Sequence, residues 1–186
     1  MRLIQAAAVL CSFVLVAVSC KKSSSPPSNA VTGNWTFVNM NTQTKVTAVI
    51  GGDTTETFAN YITQNNSGSF TFTVDSMDVN ALAYSVSATA STYAYYQGIP
   101  YDTLTSPFIA TLPATSMNAG YKLIGTDSLY FPNGGLLPAG ISSSSQGQGA
   151  HFVISHDTLR LTVQGADTTT GQIQVGTGVI TLVRQL

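Results

Sequence analysis

From Val31 onward the apolar residues recur at every second position, and this alternation limits the chain to β-structure. Phe70, Phe72 and Val74 alternate with Ser69, Thr71 and Thr73. Leu82, Tyr84, Val86 and Ala88 repeat the pattern, as do Leu159, Leu161 and Val163. A strand with this period turns one face to a core and the other to solvent. Helical spacing is not sustained anywhere after the first thirty residues. Between the alternating runs stand Gly51-Gly52-Asp53, Asn65-Asn66-Ser67-Gly68, Asn133-Gly134-Gly135 and Gly176-Thr177-Gly178, residues that tolerate positive φ and so favour turns. The spacing predicts strands near 33–40, 44–50, 54–62, 68–75, 81–96, 103–112, 121–131, 150–155, 158–164, 171–175 and 178–185. Ile141–Ala150, rich in serine, glycine and glutamine, reads as a low-complexity loop.

Many strands without helices must bury one face against a second sheet or against themselves. A closed barrel removes exposed edges, whereas a sandwich leaves edges to be covered. The expectation is one all-β domain over residues 31–186: an antiparallel β-barrel of about eight or more strands, with a β-sandwich as the alternative. Gly33-Asn34-Trp35 opens the first strand and Arg184 lies in the last. This pairing resembles the lipocalin and calycin pattern, in which a Gly-x-Trp on the first strand packs under an arginine from the final one. The resemblance implies a fold signature of Gly33, Trp35 and Arg184. It also implies an interior that takes a small apolar or amphipathic ligand.

The N-terminal segment is of a different kind. Arg2 precedes an apolar run from Leu3 to Val18, which is shorter than the roughly 20 residues a spanning helix needs. A basic start, an apolar stretch and small residues before a break are the layout of a cleaved secretory signal. The run ends Ala17-Val18-Ser19-Cys20. It thereby resembles a bacterial lipoprotein signal, although Ala17 stands where that family usually has Leu. The resemblance implies a signal peptide over 1–19 and acylation at Cys20, and several acyl chains at about 0.8 kcal/mol per methylene anchor firmly. Residues 20–30, from Cys20-Lys21-Lys22 through Ser-Pro-Pro to Ala30, are too polar to join a core and read as a flexible tether. This start is similar to that of Bacteroidetes lipoproteins. In those, acidic residues after the cysteine accompany export to the cell surface; the first acid here is Asp53. The expected place is therefore the outer membrane, on its periplasmic rather than its outer face. With Cys11 in the signal and Cys20 carrying lipid, no disulfide is expected.

Only 8% of residues are charged and the net charge is −1. A near-neutral surface lacks the basic stripe that nucleic-acid binding requires. Neither a nucleophile with its base nor a carboxylate pair stands out, so no catalytic residue, metal or cofactor is assigned. The two histidines, His151 and His156, have Asp157 as the one nearby third ligand for zinc, and read more simply as a strand residue and a turn residue. Aromatic residues make a better case for binding. Tyr84, Tyr93, Tyr95, Tyr96, Tyr101 and Phe108 fall around an expected hairpin at Gln97-Gly98-Ile99-Pro100. They either line a barrel mouth, form a platform for a sugar ring, or pack across strands.

Six of the seven aspartates precede Ser or Thr: Asp53-Thr54-Thr55, Asp75-Ser76-Met77, Asp102-Thr103-Leu104, Asp127-Ser128-Leu129, Asp157-Thr158-Leu159 and Asp167-Thr168-Thr169. The pattern resembles the Asp-Ser/Thr-apolar sequon of Bacteroidetes O-glycosylation, which implies glycans on Thr54, Ser76, Thr103, Ser128, Thr158 and Thr168. Hairpin chemistry accounts for the same pairs, with Asp capping a turn and the hydroxyl residue starting a strand.

Overall fold

A computed structural model of the protein describes residues 30–135, 147–169 and 172–185. The expected signal over 1–19, Cys20, the tether as far as residue 29, and 141–146 of the low-complexity loop lie outside the described residues. The described chain is all-β and antiparallel throughout. Its strands are β1 (Gly33–Ile50), β2 (Asp53–Ile62), β3 (Gln64–Phe72), β4 (Ser76–Tyr96), β5 (Ile99–Gly120), β6 (Lys122–Ile124), β7 (Ser128–Phe131), β8 (Gln148–Ser155), β9 (Thr158–Thr169) and β10 (Gln172–Arg184).

The strands form one sheet in which most neighbours in space are neighbours in sequence, and the β1–β3 and β2–β4 pairings skip a single strand. The long-range pairing is that of β1 with β10, which joins the two ends of the domain from Trp35↔Arg184 to Ala48↔Gln172. Between β1 and β4 lie β2 and β3, which run on in one direction. β2 covers the far half of β1, from Asn41↔Ile62 to Ile50↔Asp53, and β3 covers its start, from Gly33↔Phe72 to Thr36↔Ser69. β5 pairs with β4 along nearly its whole length. Only Tyr121 separates β5 from β6, whose three residues pair with β7. Among the described residues β5 pairs with no strand other than β4. Pro100, Pro107 and Pro113 stand along it, and a strand with an open edge tolerates proline because the missing N–H breaks no ladder.

Several expected boundaries move. The break expected at 40–44 is absent, because β1 continues through a bulge at Val38, where the register with β10 shifts. The bulge also exchanges the faces of β1: Trp35 and Phe37 are buried before it, Met40 and Thr42 after it. Asn65-Asn66-Ser67-Gly68 is not a hairpin turn but an irregularity within β3, with φ of 51° at Asn65 and 117° at Gly68. It is held by side chains acting in place of the ladder. Thr63 N–H donates to the Met40 carbonyl (3.0 Å) and Met40 N–H to Thr63 Oγ1 (2.9 Å). The Asn66 amide donates to the Val38 carbonyl at 2.8 Å. Gly176-Thr177-Gly178 lies inside β10, and the single strand expected over 121–131 is divided by a turn at Gly125 (φ 66°). The strand expected at 103–112 spans Ile99–Gly120, and the one expected from 150 starts at Gln148, within the stretch read as loop. The Gln97-Gly98 turn has positive φ at both residues (49° and 81°), the conformation of a two-residue hairpin.

One hydrophobic cluster takes buried residues from every described strand except β6. Trp35, Phe72, Met77, Phe131, Leu159, Leu161 and Leu182 are fully buried in it. It occupies the end of the sheet where β1 begins and β10 finishes, called here the lower end. The turns at Gly51-Gly52 and Gln97-Gly98 mark the upper end.

Candidate functional site

At the lower end the two chain ends lock together. The Arg184 guanidinium lies over the Trp35 ring, 4.3 Å from its centroid. Its Nη1 donates to the Thr32 carbonyl at 3.3 Å and its Nη2 to the Ala30 carbonyl at 3.4 Å. The Trp35 indole N–H donates to the Val31 carbonyl at 2.8 Å. Gly33 has φ +131°, and a Cβ on it would stand 2.9 Å from Arg184 Nη1. A guanidinium suits this place because it stacks flat on an aromatic face while its edge still donates. Residues 30–32 therefore lie beside the end of β10.

The core-facing side of the sheet changes character with height. Low down it is filled by large apolar groups, with Phe37 packed against Phe70 and Tyr84 at ring separations of 6.2 Å. Midway stand Thr42, Tyr61 and Phe108, the last 5.7 Å from the Tyr61 ring. Burial raises the Tyr61 phenol above its usual range; the Thr42 side chain works against that rise and the neighbouring Tyr84 adds to it. On the next level Gly165, Gly176, Thr44, Ala59 and Ala90 stand opposite one another, a row the alternation of the sequence does not announce.

The structure divides the expected aromatic group between two faces. Tyr84 is buried in the core, Phe108 is half-buried beside Tyr61, and Tyr96 is exposed near the upper turn. Tyr93 and Tyr95 do share a face, but it is the face opposite the core, so they do not line the interior. Tyr101 is the extra residue of a bulge and is exposed. Tyr93 meets the edge of Phe58 at 5.9 Å and 74°. Lys45 Nζ stands 5.3 Å from the Phe58 ring centroid and 2.6 Å from Glu56 Oε1. Phe58 and Lys45 line an open groove of about 680 Å³ with Gln43, Asn60, Gln164 and Thr177. Phe58, Lys45 and Tyr61 escaped the sequence reading because each is an ordinary strand residue until the register places it.

The six Asp-Ser/Thr pairs also separate. Asp75, Asp127 and Asp157 occupy or flank the lower turns, each followed by a strand-starting hydroxyl residue and then a buried Met77, Leu129 or Leu159. Their carbonyls accept from the backbone N–H groups of Tyr121 (2.8 Å), just past β5, of Phe152 in β8 (2.7 Å) and of Arg184 in β10 (2.8 Å). Ser76 Oγ is hydrogen-bonded to Thr73 Oγ1, and Ser128 Oγ donates to Asp127 Oδ1. These three repeats are hairpin starts of one design. Asp53, Asp102 and Asp167 lie in strands towards the upper end; there Thr103 and Thr168 are exposed and Thr54 half-buried.

His151 Nε2 lies 3.2 Å from Asp127 Oδ2, an exposed pair, while His156 sits in the β8–β9 turn with φ 54°. Asp157 does not join His151. Among the described residues no group of three or more His, Cys, Asp or Glu is placed to hold a metal ion. Comparison with protein-family models, with curated proteins and with solved structures finds no match to this chain.

Proposed function

We propose that this chain is a lipid-anchored envelope protein whose sheet curls into a lipocalin-like barrel of eight runs of chain and binds a small amphipathic or apolar ligand on its concave face, without catalysis. The observation that carries the reading is the junction of the first and last strands at Trp35 and Arg184. Two further facts support closure. With β2–β3 and β5–β6 each taken as one run, every run pairs with its two sequence neighbours, the last with the first. A single core also touches strands from both halves of the order. An interior of about eight strands is just wide enough to be filled by side chains or to hold one small ligand. The tether reaches the domain at its lower end, so anchoring at Cys20 turns the open upper end away from the membrane. We place the protein at the outer membrane, on its periplasmic face, and of the six candidate hydroxyls the exposed Thr103 and Thr168 are the better glycan acceptors.

Radiolabelled palmitate fed to cells producing the protein should mark it and should fail to mark the Cys20→Ala variant; an unlabelled wild type removes the anchor. Native mass spectrometry with decanoate should give one-to-one binding. An interior that binds none, even at millimolar decanoate, removes the ligand reading.

A second reading rests on the outward groove. The Phe58 ring, bordered by Lys45 and Tyr93 and ringed by side-chain amides, is the combination that holds a sugar against an aromatic face. A glycan array probed with wild type and with Phe58→Ala separates the two: signal lost in the variant favours the groove, and a blank array dismisses it.

A further inference from the structure

The register orders the outward groove into two parallel rows. Asn60, Gln43, Thr177 and Gln164 stand opposite one another across β2, β1, β10 and β9. One level nearer the upper end, on the same face, Phe58, Lys45, Val175 and Ala166 do the same. All eight line the groove of about 680 Å³, with the backbone of Gly165 and Gly176 between the rows. That volume lies in the range of small-ligand sites.

The rows differ in chemistry. The first holds three carboxamides and a hydroxyl, groups that both donate and accept. The second is an aromatic ring and two aliphatic side chains, with Lys45 among them. The Lys45 ammonium is held by Glu56 Oε1 at 2.6 Å, so the groove offers a ligand no uncompensated charge. Strands lie about 4.8 Å apart, so each row runs about 14 Å across the four strands, and the rows stand about 7 Å from each other. A matching ligand is long and flat, is uncharged, and has hydroxyls along its edge beside apolar faces.

We infer that the groove takes an extended, neutral, β-linked oligosaccharide lying across the strands, with one ring against Phe58 and the chain continuing along the amide row to Gln164. The inference rests on the sugar reading of this groove and narrows it. Four strands side by side match about three pyranose units of an extended chain. Equatorial hydroxyls lie near the ring plane and reach the amide row, while the ring C–H faces meet Phe58 at one end and Val175 and Ala166 beyond it. A single sugar or a compact branched one covers the Phe58 end alone.

The test is calorimetric titration of the full-length protein with cellobiose, cellotetraose and maltotetraose, whose α-links curve the chain. Cellotetraose should bind about tenfold or more tightly than cellobiose, and maltotetraose no better than cellobiose. Gln164→Ala should weaken cellotetraose about fivefold, the worth of one hydrogen bond, and leave cellobiose unchanged, because two units placed on Phe58 do not reach β9. Gln164 is exposed, so this variant should unfold at the wild-type temperature. Phe58→Ala should weaken both β-linked sugars; Phe58→Tyr keeps the ring and its packing on Tyr93 and should bind as wild type does. An increase in salt of about tenfold should leave the affinity within about twofold, since no ion pair is formed with the ligand. Equal affinity for cellobiose and cellotetraose, equal affinity for the α- and β-linked chains, or a silent Gln164→Ala would each overturn the inference. If a disaccharide or a compact glycan still binds and Phe58→Ala still weakens it, the sugar site stands and only its extension across the strands falls. If no saccharide responds to Phe58→Ala, the sugar reading falls as well.

Discussion

Replacing Arg184 by Met isolates the junction of the chain ends, because the aliphatic stem is kept while the guanidinium is lost. The guanidinium sits 4.3 Å from the centroid of a ring with no exposure, a partly desolvated stack worth about 1–2 kcal/mol. Its two bonds to the Thr32 and Ala30 carbonyls are long and face solvent, so together they add about 1 kcal/mol, and water can take over the freed carbonyls. The expected loss is about 2–3 kcal/mol. In a domain of this size that lowers Tm by about 4–12 °C. Trp35 is the only tryptophan of the chain, so its fluorescence reports unfolding and the state of the junction in one measurement. Arg184→Lys keeps the charge but not the flat fork, and should recover less than half of the loss. If Arg184→Met unfolds within 1 °C of wild type, the stack contributes nothing and the argument for a locked junction fails. If Lys restores stability in full, charge rather than stacking geometry is responsible.

Gly68→Ala should be among the most damaging single changes: its φ is +117° and a Cβ would stand 2.7 Å from Leu82 Cα, so about 2 kcal/mol or more should be lost by urea unfolding. Leu161→Ala, in the filled lower core, should cost about 2–5 kcal/mol, whereas Ile109→Ala, on a residue 75% exposed, should stay within about 0.5 kcal/mol; similar losses would contradict the placement of the core. The raised phenol of Tyr61 gives a signed pH dependence. Its contribution is present in full below the ordinary value of 10.0 and is lost as pH rises from there through the folded value. Absorbance titration should show one tyrosine ionising later than the exposed ones, and Tyr61→Phe should abolish that late step. Removing the exposed His151–Asp127 pair by Asp127→Asn should change stability by less than about 1 kcal/mol in urea unfolding.

Parity along each strand was legible without coordinates. Period two placed Phe70, Phe72, Leu159 and Leu161 on the buried face, and Gly33, Trp35 and Arg184 stood out as a possible junction of the chain ends. Turn residues were less informative, because glycine and asparagine serve bulges as well as hairpins. Asn65 to Gly68 and Gly176 to Gly178 have the composition of turns, yet the strands continue through them. What decides is whether a partner strand keeps pairing beyond the irregularity, and that is a long-range fact.

The sequence by itself determined the all-β class, the faces of the regular strands and the amino-acid chemistry available at each end. These follow from local spacing, since a pleated strand alternates whatever lies beside it. Only tertiary structure decided that Tyr93 and Tyr95 face away from the core, that Phe58 joins Lys45, and that Gln148 stands opposite Phe131. Each depends on register between strands distant in sequence, and one bulged residue exchanges the faces of everything that follows it. The bulge at Val38 does this in β1, where no turn residue marks the place.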